Sequence, residues 1–210
     1  FEFNNLYHEH ISYGTLNDSD GNPFKTRDGG TKPLSELFEE TYQYIKNINS
    51  NLEDSTIKQL ANSVLTFSDL ITNRKTDYKF DLEKFTNVNG KTGLYVQYAQ
   101  VRAKKLQQSI GLQKNEFDLL VLSDIDKHLL SLLFMFGYYL EQSSSLNEPH
   151  HLANYLYDIS NSFNQFYEHE KLSEIKDSNH LNSKLYLIDL FLTTSKNVMF
   201  CLGIKPVERM

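Results

Sequence analysis

The apolar residues of the second half of the chain recur at every third or fourth position, and this spacing restricts the fold more than any other feature. The stretch LYVQYAQVRAKKLQQSI, which begins at Leu94, shows it most clearly. One stripe of this helix carries Leu94, Tyr98, Val101 and Lys105, with Tyr95 and Arg102 beside it. Further helices are predicted with Asp124 as a cap, after Pro149, and up to Gly203. The second half is therefore predicted to be a bundle of helices.

Residues 1–93 have a mixed pattern. HISYGTLNDSDGNPF predicts a short strand that leads into a loop, and the alternation of Tyr78, Phe80 and Leu82 predicts another. Between them, two amphipathic helices are predicted, one opened by Pro33 and one capped by Asp54. The fold class is mainly α: an α/β remnant over residues 1–93, followed by a helical bundle over residues 94–210.

Composition limits the possible functions. With 210 residues and 40% hydrophobic side chains the chain can bury a substantial core. The net charge of −6 argues against indiscriminate binding of nucleic acid, which depends on many Lys and Arg contacts to phosphates. One segment is locally basic, however: residues 91–114 contain Lys and Arg, but neither Asp nor Glu, together with Tyr95 and Tyr98.

Several patterns argue for a cytoplasmic protein without a membrane segment. Cys201 is the single cysteine, so no internal disulfide can form, and its apolar neighbours predict a small core residue. The longest apolar run, HLLSLLFMFGYYL from His128, is shorter than the ~20 residues of a spanning helix and predicts one buried helix. The sequence starts at Phe1 without an initiator Met, so we expect a piece of a longer polypeptide.

No metal site is predicted. His8 and His10 would lie on one side of a strand, but two ligands are not a site. His150 and His151 are adjacent at a helix start, where their side chains are expected to diverge. The sequence also lacks the G-x-S-x-G and H-E-x-x-H motifs of hydrolases.

A small cationic loop, SDGNPFKTRDGGTKPL, places Lys25 and Arg27 between Gly21 and the pair Gly29 and Gly30. It does not match the Walker A pattern, because no Gly-Lys-Ser/Thr closes it. The composition is compatible with a solvated surface loop. It is also compatible with a phosphate-binding loop, because Gly29 and Gly30 allow close approach of the backbone while the cations neutralise a triphosphate.

Five segments in order resemble arginyl-tRNA synthetases of class I. HISYGTLNDSDGNPFKTRDGGTKPLSELFEE is similar to their signature-loop region. The other four segments are TNRKTDYKFDLEKF, GLYVQYAQVRAKKL, PHHLANYLYDISNSFNQFYE and LGIKPVERM. The resemblance covers the whole chain and identifies it as a C-terminal fragment of such an enzyme.

The resemblance implies roles for the first part. Lys25 and Arg27 would be catalytic, in a loop similar to the KMSK signature that stabilises the activated phosphates of ATP; Phe24 replaces its first lysine. Tyr13, Gly14 and Thr15 would border the ATP adenine, largely through backbone groups. The HIGH signature and the arginine pocket are not in this sequence, so the fragment alone is expected to be inactive and to hold no cofactor.

In the second part, the resemblance implies an anticodon-binding domain that stacks splayed bases on aromatic side chains. Its tRNA-binding positions would be Tyr95, Gln97, Tyr98, Arg102, Tyr167 and Met210. The sequence does not distinguish which of Tyr95 and Tyr98 faces RNA, and ordinary helix packing is an alternative for each tyrosine.

The implied function of the intact protein is an arginine-tRNA ligase that attaches arginine to tRNA-Arg through an arginyl-adenylate, using ATP with Mg²⁺. Its partners would be tRNA-Arg, ATP and arginine, and it would be a monomer. Two alternatives stay open: a non-catalytic helical module that binds tRNA or a protein, and a helical protein with no RNA role.

Overall fold

The structure is a computed structural model that describes residues 8–17, 33–79, 81–110, 118–169 and 171–210. The helices are α1 (Leu34–Ile48), α2 (Asp54–Leu70), α3 (Leu82–Phe85), α4 (Gly93–Ile110), α5 (Asp124–Phe134), α6 (Phe136–Ser145), α7 (His150–His169) and α8 (Ser178–Cys201). Two strands, β1 (Leu16–Asn17) and β2 (Tyr78–Lys79), pair in parallel, with Leu16 opposite Tyr78. Short 3₁₀ turns occur at Leu119–Val121 and Leu172–Glu174.

The main core lies between α4, α5, α7 and α8, which confirms the predicted helical bundle. The rings of Phe163 on α7 and Phe191 on α8 stack with their centres 4.2 Å apart. Both side chains are fully buried. The aromatic and aliphatic residues of the 3.6-residue pattern on α7 therefore face the interior, as an amphipathic helix requires.

A second core joins α1 and α2 to the other side of α4. It contains Ile45, Leu60 and Val64 from the first two helices, Leu94 from α4, and Val207 from the C-terminal segment. Helix α4 thus packs against the bundle on one side and against α1, α2 and the C-terminal residues on the other. It contributes buried residues to both cores.

The apolar run from His128 does not form one buried helix, which corrects that prediction. Helix α5 ends at Phe134 and α6 begins at Phe136, because Tyr155 of α7 donates its hydroxyl proton to the carbonyl of Leu132 at 3.0 Å. That carbonyl also accepts from Met135 N–H in a tightened turn. The second half of the run is largely exposed at Phe134, Met135, Tyr138 and Leu140.

Smaller predictions are also corrected. Ser123, not Asp124, caps α5, in a reciprocal capping box with Asp126. Helix α2 follows Glu53, and no side-chain cap is made there, so Asp54 lies in the first turn. Cys201 is exposed rather than buried, because the last turn of α8 presents it to solvent. None of the described helices combines the length and apolar character needed to span a membrane.

Candidate functional site

A groove of about 350 Å³ opens between α4, α7 and the C-terminal residue. It brings together four of the residues predicted to bind RNA, namely Tyr98 and Arg102 from α4, Tyr167 from α7, and Met210. Its remaining lining residues are Val101, Lys105, Leu106 and Ser109. The groove therefore combines aromatic rings, aliphatic walls and two cationic side chains.

Arg102 lies at the centre of the groove. Its guanidinium carbon is 4.6 Å from the ring centre of Tyr98 and 4.3 Å from that of Tyr167, both within cation–π range. The same group donates to the hydroxyl of Tyr98 at 2.9 Å and to Asn164 Oδ1 at 3.0 Å. Glu168 Oε1 is 3.5 Å from Nη1. These contacts hold both rings in place, while Tyr98 and Tyr167 as whole residues are 41% and 38% exposed.

Tyr95 occupies a different environment from Tyr98. Its hydroxyl donates to Asn161 Oδ1 at 3.1 Å, and its ring packs against Tyr157 with the centres 5.3 Å apart. It is half-buried beside the main core and does not line the groove. Of the two tyrosines that the sequence left undecided, the structure places Tyr98 at the groove.

Gln97 is fully buried and does not line the groove. Its amide nitrogen donates to Ser63 Oγ at 2.8 Å and to the carbonyl of Lys205 at 2.7 Å. Its amide oxygen accepts from Val207 N–H at 3.0 Å. Gln97 thereby fixes the C-terminal segment against α4 and α2, which places Met210 at the groove.

Two ion pairs hold the same segment from outside. Lys104 of α4 pairs with Glu208, and Arg209 pairs with Glu53 at 2.5 Å. Both pairs are largely exposed, so each contributes little to stability on its own. Together they tie residues 208 and 209 to α4 and to Glu53, the residue before α2.

The residues predicted to border ATP lie beside β2. The N–H of Gly14 donates to the carbonyl of Arg74 at 2.6 Å, and the N–H of Thr15 donates to Asp77 Oδ1 at 2.6 Å. The Thr15 backbone bond is the largest cause of the lowered pKa of Asp77. A Cβ at Gly14 would lie 2.6 Å from the backbone of Thr76, so the close approach requires glycine. Tyr13 is 83% exposed.

The catalytic predictions Lys25 and Arg27 lie outside the described residues, as does Phe24. A cavity of about 260 Å³ near Tyr13 and Gly14 is lined also by Arg74 and Tyr78. Burial, and then a hydrogen bond from its hydroxyl to Asp69, raises the pKa of Tyr78.

His150 and His151 do not diverge as predicted. Their ring centres lie 4.1 Å apart, and both rings lie near Glu148. Burial, and then the neighbouring His151, lowers the pKa of His150. A hydrogen bond from Lys75 is the main cause of the lowered pKa of Glu148. The signal for this group in the sequence is Glu148, two positions before His150, which the comparison of the histidines alone does not include.

Comparison with known proteins agrees with this geometry. Residues 96–210, which contain all of the groove, match the DALR anticodon binding domain. The chain belongs to the DALR anticodon-binding family. Its first 82 residues match the catalytic domain of class I tRNA synthetases (R). The start of the DALR match lies within three residues of Gly93, where α4 begins.

Proteins with a similar sequence are longer than this chain. The arginine–tRNA ligase of Alcanivorax borkumensis is 35% identical over 96% of this chain, and that of Francisella tularensis subsp. novicida is 33% identical over the same share. The chain spans 36% of the length of each.

Solved structures show the same architecture. The arginyl-tRNA synthetase of Thermus thermophilus has a TM-score of 0.84 at 23% identity, covering 96% of this chain and 35% of its own, and supports the fold alone. That of Plasmodium falciparum has a TM-score of 0.75 at 25% identity, with the same coverage. The predicted resemblance to arginyl-tRNA synthetases is confirmed.

Proposed function

We propose that this chain is the anticodon-reading part of an arginine–tRNA ligase. The observation that carries the proposal is the convergence of Tyr98, Tyr167 and Met210 on one groove of a DALR domain. Two half-exposed rings from different helices, with a flexible thioether opposite, suit a flipped-out base. Stacking on an aromatic side chain contributes about 1–3 kcal/mol per base.

Arg102 gives the groove its selectivity for nucleic acid in this proposal. In the free protein its guanidinium fills the space over both rings, so an entering base takes up part of that space. The displaced guanidinium then becomes available to a phosphate or a base edge, while its bond to Asn164 can persist. Lys105, which also lines the groove, adds a second cation for the RNA backbone.

Gln97 has a positioning role in the proposal rather than a contact with RNA. Its three hydrogen bonds are all made inside the protein. It holds residues 205–207, and thereby the position of Met210 relative to Tyr98. Tyr95 likewise supports α4 against α7 through Asn161.

In the intact ligase, the first part of the chain would serve arginine activation. The match of residues 1–82 to the catalytic domain supports roles for Lys25 and Arg27 in offsetting charge on the departing pyrophosphate of ATP, with Mg²⁺ as the companion ion. Because the N–H groups of Gly14 and Thr15 are already hydrogen-bonded, contacts to adenine would use other atoms, among them the Tyr13 side chain. The chain alone would not catalyse the reaction.

We also propose the organisation that goes with this role. Residues 1–93 would be the end of the catalytic domain with a stem-contacting segment, and residues 94–210 the anticodon-binding domain. The start of α4 at Gly93 supports this boundary. The protein would act as a cytoplasmic monomer, and the exposed, unpaired Cys201 suits a reducing compartment.

The test is binding of this chain to the anticodon stem-loop of tRNA-Arg and to the same RNA with its middle anticodon base changed. Fluorescence anisotropy at low and moderate salt separates the phosphate contribution, which falls with salt, from base recognition. We expect the unchanged RNA to bind more tightly at both salt concentrations. Equal affinity for the two RNAs would contradict the proposal.

A further inference from the structure

Glu148, His150 and His151 form a compact group at the start of α7. One possible ligand atom from each residue lies within 4.8 Å of the others. Ligands held at about 2.1 Å in a tetrahedron are roughly 3.4 Å apart, so the three atoms need to approach one another by no more than about 1.4 Å. Rotation of the side chains alone can supply a movement of this size.

Two ring nitrogens of this group are buried without a hydrogen-bond partner. They are Nδ1 of His150 and Nε2 of His151. Nε2 of His151 lies 3.3 Å from Glu148 Oε2, a contact that is an ion pair only when the imidazole is protonated. A buried polar atom without a partner is costly and uncommon in folded proteins. A bound cation would satisfy both nitrogens and the carboxylate at once.

We propose that Glu148, His150 and His151 bind a transition-metal ion of the Zn²⁺ class. Two imidazoles and one carboxylate are a donor set that zinc and its first-row neighbours prefer, and three protein ligands leave a position open to water. Mg²⁺ and Ca²⁺ require mostly oxygen ligands and do not fit. The three ligands lie within four consecutive residues, at the first, third and fourth positions, so one turn of the chain supplies the whole site.

The surrounding positive charges lower the affinity of this site for a metal ion. Lys75 Nζ is 3.2 Å from Glu148 Oε1, which leaves the other carboxylate oxygen towards His151. Arg74 is fixed nearby through its bonds to the carbonyls of Asn147 and Ser12. These cations and the positive end of α7 oppose a metal ion. Binding is therefore weaker than at a closed structural zinc site.

A metal here would act on the junction between the two matched regions. Asn147, next to the group, donates to Glu9 Oε2 at 3.0 Å, and Arg74 links the same turn to Ser12. The ion would stiffen the turn between α6 and α7 against residues 8–17. The site is independent of the proposed groove, because His150 and Tyr167 are 17 positions apart on α7, about 25 Å along its axis.

The test is titration of the chain with ZnCl₂ in competition with a chromogenic zinc indicator, with MgCl₂ in parallel. We expect one Zn²⁺ per chain and no response to Mg²⁺. His150→Ala and His151→Ala are each expected to weaken zinc binding at least tenfold, whereas His128→Ala, at an exposed position of α5, leaves it unchanged. Circular dichroism checks that each variant is folded.

A further variant is expected to strengthen zinc binding rather than weaken it. Lys75→Met removes the cation nearest Glu148 and is expected to increase zinc affinity severalfold. The proposal is overturned if the unchanged chain binds no zinc, if both histidine variants bind as tightly as it does, or if Cys201→Ser abolishes binding. The RNA affinity of the unchanged chain does not enter any of these outcomes, so failure here and failure of the proposed function are distinguishable.

Discussion

At the scale of single residues, the groove depends on two tyrosines that the same arginine holds. Tyr98→Ala and Tyr167→Ala each remove one stacking surface. We expect each to weaken binding of the anticodon stem-loop by about 1–3 kcal/mol, or roughly 5- to 150-fold, with little change in stability. Phe at either position should keep most of the affinity.

Tyr186→Ala is the matched control for those two variants. Tyr186 is 40% exposed, close to the exposure of the two groove tyrosines, but lies on α8 away from the groove. RNA affinity should stay unchanged in this variant. If Tyr186→Ala weakened RNA binding as much as Tyr167→Ala, the effect would come from the general loss of surface aromatic residues. This result would contradict the groove as the RNA-binding site.

Gln97→Leu tests whether the buried amide acts by positioning. The leucine has a similar volume but leaves the Lys205 carbonyl and the Val207 N–H without their partner. We expect the free energy of unfolding to fall by about 2–3 kcal/mol, measured by urea denaturation. RNA affinity should fall as well, because Met210 loses its fixed position.

Two further results distinguish a positioning role of Gln97 from a direct contact between Gln97 and the RNA. Deletion of Met210 alone is expected to reduce discrimination of the middle anticodon base without the loss of stability. A Gln97→Leu variant that kept full stability but lost RNA affinity would instead indicate that Gln97 contacts the RNA directly.

Of the six positions that the sequence predicted to bind RNA, four line the groove and two, Tyr95 and Gln97, do not. Tyr98 lies on one helical stripe of α4 and Tyr95 lies beside it. Which of them stays exposed depends on Tyr157 and Asn161 of α7, more than 50 positions away. Gln97 was predicted as a tRNA-binding position, but it is fully buried and hydrogen-bonded inside the protein. It is buried because the chain returns to cover it from residue 205 onward.

At the scale of elements, the close approach of α4 and α2 depends on Gly93. A Cβ at this position would lie 2.3 Å from the carbonyl oxygen of Ser63, which is backbone and cannot rotate away. Gly93→Ala is therefore expected to lower the free energy of unfolding by about 1–3 kcal/mol, as overpacking does. Chemical denaturation measures the change.

Gly137 on α6 provides the opposite case. Apart from the adjacent residues and the nearby backbone of α6 itself, no atom of the described residues lies within 4 Å of a Cβ built there. Gly137→Ala should stabilise the protein by about 0.5–1 kcal/mol, because alanine is the better helix former. Equal effects of the two substitutions would contradict the packing that the structure shows between α2 and α4.

A buried ion pair links α5 to α8. Lys184 Nζ donates to both oxygens of Asp126, at 2.8 and 2.7 Å, and both side chains are almost completely buried. Lys184→Met leaves the carboxylate in the core without its counter-charge, so we expect about 3–5 kcal/mol of destabilisation. The exposed Lys127→Met on the same α5 should change stability by less than about 0.5 kcal/mol.

The sequence predicted which segments form helices, but it did not predict where some helices begin, end or are interrupted. The 3.6-residue pattern gave α4, α7 and α8, because a buried face must repeat at that period. The break at Met135 could not be predicted, because it depends on the hydroxyl of Tyr155 from another helix. The same holds for the Asp126–Lys184 pair, which joins residues 58 positions apart.

At the scale of the whole molecule, the chain closes on itself through its C-terminal segment. Val207 joins the core of α1, α2 and α4, and Met210 completes a groove whose other walls come from α4 and α7. Two of the segments that resemble arginyl-tRNA synthetases, GLYVQYAQVRAKKL and LGIKPVERM, contain the residues on the two sides of this closure. The closure itself rests on contacts between residues about 110 positions apart, which no local pattern encodes.

The most direct test of this account is photo-crosslinking of the anticodon stem-loop, with a photoreactive pyrimidine in place of the middle anticodon base. Mass spectrometry of the digested product identifies the attached residue. We expect attachment at Tyr98, Tyr167 or Met210, and loss of the product when excess unlabelled stem-loop competes. Attachment instead at the exposed aromatics of α5 and α8, such as Phe134 and Tyr186, would show that the anticodon is read elsewhere.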